Sequence, residues 1–160
     1  MHKKSILFIL LLALVFGGLV FFSGKKAPTE TTPNISSADD VLGLPDAKPT
    51  QTIDLRNGDT YELTVGYVAN VINGKKIKMI AYGGSIPGPI LRIREGDSVT
   101  IRLKNNSKEE TLLHSHGVRM DYQYDGNHLV QKPIPPGESF EYVLKFPDVG
   151  VYWYHPHISD

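Results

Sequence analysis

Four histidines fall into two copies of one spacing, His114-Ser115-His116 and His155-Pro156-His157. In an extended strand, residues i and i+2 share a face and stand ~7 Å apart. Each pair therefore presents two imidazoles in one direction, and two such strands side by side would give four converging nitrogens. A single pair of this kind is more often a couple of ordinary surface or core histidines. Two pairs, each at a strand end and beside apolar or aromatic residues, point to a transition-metal site. An all-imidazole donor set suits Zn, Cu, Ni and Fe, so spacing alone does not choose the metal. Gly117 fits the site as well, because a residue without a side chain leaves room beside a ligand.

The neighbouring residues divide by the same alternation. Trp153 shares a face with Val151 and His155 and is expected to pack in the core beside the site. Tyr152 and Tyr154 should face the other way, packing there with their hydroxyls in water. His128, in "DGNHLVQKP", reads as a solvated or supporting residue, and His2 belongs to the N-terminal segment.

Composition limits the chemistry further. The chain has no cysteine, which excludes disulfides, thiolate nucleophiles and sulfur-bound metal within it. Seventeen basic and seventeen acidic side chains balance to zero. With no basic stripe, the electrostatic case for a nucleic-acid partner is absent. A length of 160 residues allows one domain with a real core.

The elements that would position the histidines are strands. Two β-branched and aromatic runs in "TYELTVGYVANVINGKKIKMIAYGG" flank Asn73-Gly74, a hairpin signal. In "ILRIREGDSVTIRLKNN", Ile90, Arg92 and Arg94 point one way and Leu91 and Ile93 the other. Gly96-Asp97 makes a turn, after which Val99, Ile101 and Leu103 alternate with polar residues. "SFEYVLKF" and "GVYWYHPH" are two further strands. No helical periodicity follows residue 24, so the fold class is an all-β antiparallel sandwich over residues 51–160.

Ahead of it lie two segments of different character. Residues 1–24 have a basic start at Lys3 and Lys4 and an apolar run from Ile6 to Phe22. This reads as an apolar helix serving as a signal peptide or, since no Ala-x-Ala site follows, an uncleaved membrane anchor. Either places the rest of the chain outside the cytoplasm, membrane-anchored or secreted. Residues 25–50 are rich in Pro, Thr, Ser and Asp and read as a flexible tether.

Three stretches, "GSIPGPILRIREGDSVTIRLKNN", "LLHSHGVRMDYQYDG" and "QKPIPPGESFEYVLKFPDVGVYWYHPH", resemble the first cupredoxin domain of laccase-like multicopper oxidases. The resemblance runs in order from about Tyr82 to His157. Ser115 departs from it, since many members carry Trp between these histidines, but that position is not a ligand. The resemblance implies a cupredoxin-like Greek-key sandwich and a trinuclear copper cluster that reduces dioxygen to water. His114 would bind the type 2 copper, and His116, His155 and His157 the type 3 pair. Asp125, in "YDG", matches an acid placed near the cluster to relay protons. Its bland alternative is a turn-forming Asp-Gly pair, and both can hold.

The same resemblance defines what these residues lack. Family members hold the cluster with eight histidines and feed it through a type 1 copper that needs a Cys thiolate. This chain offers four such histidines and no cysteine. The sandwich is also expected to be one strand short, ending soon after His157. The reading is therefore a domain of a longer oxidase, completed by further cupredoxin sequence or by a partner chain. A short extracytoplasmic copper carrier and one half of a split oxidase are the alternatives.

Overall fold

A computed structural model describes residues 38–157 of the chain. The apolar helix and most of the tether expected from sequence lie outside these residues. Among the described residues, no helix is long and apolar enough to cross a membrane.

The described residues contain eight strands: β1 (Thr52–Asp54), β2 (Thr60–Ile72), β3 (Lys75–Tyr82), β4 (Ile90–Arg92), β5 (Ser98–Asn105), β6 (Leu113–His116), β7 (Ser139–Lys145) and β8 (Trp153–Pro156). The largest sheet has the order β3-β2-β5-β7. Its β2–β3 hairpin turns at Asn73-Gly74, with Ile72 opposite Lys75. Both turn residues have positive φ, 51° and 77°, as a two-residue hairpin turn demands. β5 runs parallel to β2 and antiparallel to β7. Beside this sheet, among the described residues, lie two two-stranded ribbons, parallel β1–β4 and antiparallel β6–β8.

The period-2 pattern of β5 is realised in full. Val99, Ile101 and Leu103 are buried to 1% exposure or less, and Tyr142 of β7 is fully buried against them. Leu113 of β6 belongs to the same cluster, and Leu91 of β4 and Tyr154 of β8 pack against it. The core thus lies between the four-stranded sheet and the two ribbons. Burying each such aliphatic side chain stabilises the fold by roughly 1.5–3 kcal/mol.

The last part of the expected tether is docked. Ala47 donates to the Ala69 carbonyl at 2.9 Å, Ala69 to Pro45 at 2.8 Å, and Lys48 to Gly84 at 2.8 Å. Composition marked this stretch as polar and Pro-rich; the free backbone groups of β2 and of the turn after β3 capture it.

Candidate metal centre

The two histidine pairs lie on paired strands. In the β6–β8 ribbon His114 stands directly opposite His155, and His116 opposite Trp153. The backbone of His157 continues the register, donating to the Leu112 carbonyl at 3.2 Å. Ser115 and Tyr154, on the other face, turn towards the core. One face of the ribbon is thus a histidine face and the other a packing face.

Three histidines converge. One ring nitrogen each of His114, His116 and His155 lies within 4.8 Å of the others. Ring centroids are 5.5 Å apart for His114–His116, 5.2 Å for His114–His155 and 6.1 Å for His116–His155. His157 does not join this trio. Its ring lies flat against His114, 4.9 Å away and 8° from parallel. Four converging nitrogens were expected from strand spacing; three are grouped, and the fourth ring, His157, lies beside them, 5.3 Å from that of His155.

Nitrogens binding one ion at ~2.1 Å can stand at most about 4.2 Å apart. The trio, within 4.8 Å, is close enough for imidazoles that bind one ion or are divided among adjacent ions. Neutral imidazole serves both common oxidation states of copper, so the donor set fits that metal.

Trp153 departs from its expected place in the core. It is 58% exposed and stacks on His116 at 4.8 Å and on His155 at 4.4 Å. Alternation put it on the histidine face correctly, but that face looks outward. Tyr154 is the inward residue. Its ring meets Tyr82 edge-on at 5.3 Å, and its hydroxyl donates to the Pro89 carbonyl at 2.6 Å rather than resting in water. The Pro87-Gly88-Pro89 loop supplies that acceptor. A Cβ on Gly88 would come within 2.9 Å of the Tyr154 hydroxyl and 3.0 Å of Tyr82. Gly117 is needed chiefly for its φ of 82°, and its missing side chain would face Tyr152 rather than a ligand.

Buried tyrosines support the ribbon from beneath. The Tyr142 hydroxyl accepts from the Leu113 N–H and from Gln131 Nε2, both at 3.0 Å. That ties the residue before His114 to the central sheet. Burial pushes the Tyr142 phenol up, outweighing these two bonds, and does the same to Tyr82 and Tyr154.

Asp125 meets His114 through two groups. A short 3-10 turn, Tyr122–Tyr124, is capped by the Asp121 side chain and ends at Asp125. The Asp125 carbonyl lies 2.6 Å from His114 Nδ1, while its carboxylate oxygen stands off at 3.5 Å. His155 Nδ1 has a carbonyl neighbour too, Pro156 at 3.1 Å. His128 is exposed, as its loop position suggested.

Comparison with known proteins agrees with the site. The multicopper oxidase family profile matches residues 64–160. The chain belongs to that family, and this is its cupredoxin-like domain. Copper resistance protein A of Escherichia coli is 37% identical over 101 residues, covering 62% of this chain and 17% of the relative. A multicopper oxidase crystal structure from Pseudomonas thermotolerans superposes with a TM-score of 0.60 at 39% identity, covering 69% of this chain and 26% of that one. A Campylobacter jejuni multicopper oxidase described as a metallo-oxidase gives 0.56 at 30% identity, over 73% and 28%. The chain therefore spans about a sixth of that curated relative and about a quarter of each solved one. Copper is the cofactor these relationships imply.

Proposed function

We propose that this domain supplies half of the histidine ligands of a trinuclear, dioxygen-reducing copper cluster in a laccase-like multicopper oxidase. The observation that carries the reading is the register of β6 against β8, which brings His114, His116 and His155 together from two strands. His114 serves the type 2 copper; His116, His155 and His157 serve the type 3 pair, His157 after unstacking from His114. When bound, the coppers supply the one-electron steps by which dioxygen takes up four electrons and four protons to give two waters. The chain's own residues hold and orient the imidazoles. The Asp125 carboxylate, 41% exposed and beside His114, takes protons from solvent and passes them inward.

The other cluster histidines and the type 1 cysteine come from a further cupredoxin domain or a partner chain. The N-terminal apolar segment places the domain outside the cytoplasm, secreted or held at the membrane.

Copper titration of the metal-free chain tests this, read by chelator competition and by fluorescence of Trp153, the chain's single tryptophan. Because Trp153 stacks on two of the histidines, bound Cu(II) should quench it strongly. His114→Ala, His116→Ala and His155→Ala should each weaken binding by about 100-fold or more, since even supporting residues are worth 10–100-fold. Equal affinity in the triple variant would sink the reading. Tight binding of one ion, unchanged on adding a complementary cupredoxin domain, would favour a carrier instead.

A further inference from the structure

The contact between His114 and Asp125 depends on the glycine that follows Asp125. Gly126 is buried, with φ of 73°, and a Cβ built on it would fall 2.0 Å from the Leu113 carbonyl oxygen and 2.9 Å from the His114 nitrogen. Those are backbone atoms of β6, with no flexible side chain to move aside. No L-side chain fits, and the left-handed φ adds its own penalty for one. The loop can press its backbone against β6 here only because residue 126 is glycine.

That approach fixes where the Asp125 carbonyl stands, since it belongs to the peptide joining Asp125 to Gly126. A carbonyl can only accept, so at 2.6 Å it requires the proton of His114 on Nδ1. A neutral His114 then carries its lone pair on Nε2. The carboxylate, 3.5 Å from the same nitrogen, is beyond an ordinary hydrogen bond and is not needed for this.

We infer that Gly126 and the Asp125 main-chain carbonyl form the positioning device for His114, selecting the Nδ1–H tautomer and leaving Nε2 as the only metal-binding atom. Asp125 thus divides its work. Its backbone orients the ligand, and its carboxylate is left free for proton exchange. The division deepens the proposed copper site, while the tautomer itself exists without metal.

The test is nitrogen-15 NMR of the histidine rings in the metal-free chain, at a pH above the ordinary histidine range. Wild-type His114 should show a protonated Nδ1 and an unprotonated Nε2. Asp125→Asn keeps the carbonyl and should keep that signature. Gly126→Ala displaces the loop and should shift the tautomer ratio by about tenfold towards Nε2–H, the worth of one hydrogen bond. An Nε2–H tautomer in the wild-type chain overturns the inference outright, whether or not Gly126→Ala folds. Loss of the signature in Asp125→Asn overturns it too, because the carboxylate would then be the partner. Neither result bears on whether copper binds, which the titration decides separately.

Discussion

The four-stranded sheet and the β6–β8 ribbon are stabilised in different ways. The sheet supplies most of the buried core residues. β2 and β5 are long, β5 alternates cleanly, and Leu63, Val65, Val99, Ile101 and Leu103 are each at 1% exposure or less. The ribbon has strands of four residues. Its outer side carries exposed Trp153 and histidines and leads from a fully exposed Val151. What holds it are single contacts from elsewhere: the Tyr142 hydroxyl on Leu113, the Pro89 carbonyl on Tyr154, and the Asp125 loop on His114. The sheet's stability is spread over many apolar residues, whereas the ribbon's geometry depends on a few polar contacts. The short strands thus carry the metal face on one side while Leu113 and Tyr154 join the core from the other.

The largest loss of stability follows from cutting the sheet. Leu103→Ala should destabilise by about 3 kcal/mol or more in urea unfolding and take copper binding down with it. His116→Ala, at an exposed position of the trio, should leave the urea midpoint nearly unchanged while removing most copper affinity. Similar stability losses for both would erase the distinction.

Tyr142→Phe tests the link between the two regions. It leaves the ring but strands the buried Leu113 N–H and the Gln131 amide, at an expected cost of about 1–3 kcal/mol. Copper affinity should fall as well, because Leu113 adjoins His114. Wild-type affinity at reduced stability would show that the ribbon is positioned without this bond.

Alkaline pH acts on the same tyrosines. Tyr82, Tyr142 and Tyr154 titrate above the ordinary tyrosine value of 10.0, pushed up chiefly by burial. The folded chain keeps protons that the unfolded chain releases. Stability from this source is whole below about pH 10 and falls as pH rises further. A urea midpoint that stays flat well above pH 10 would contradict the burial of these rings.

The smallest effect belongs to the exposed pair of Arg119 and Asp148, bonded through two contacts of 3.0 Å. The Arg119 hydrogen bond holds the Asp148 carboxyl below its ordinary 3.8. Its contribution is present above that value and is lost as pH falls through the lowered one. Screening by water keeps it slight, so Asp148→Asn should be hard to distinguish from wild type at neutral pH. A clear loss would make this pair a real clamp between the loops that flank the ribbon.

Local pattern carried the β2–β3 hairpin, the Gly96 turn and the inward set of β5, because each is set within a few residues by turn chemistry and by the two-residue period of a strand. The same period placed His114 with His116 and His155 with His157, and put Trp153 on the histidine face. It could not say which face of the ribbon is wet. That depends on where the larger sheet lies, and so Trp153, expected in the core, is outside while Tyr154 is within.

The amino-acid sequence by itself determined the strand class and the two histidine pairs, since these rest on residue type and short spacing, and its motifs carried the resemblance to the family. Only the tertiary structure decided that His114 faces His155, that His157 stacks on His114, and that a main-chain carbonyl beside Gly126 meets His114 Nδ1. Each of these joins residues ten or more positions apart. Such pairings depend on strand register and on close packing between backbones, and neither leaves a periodic trace along the chain.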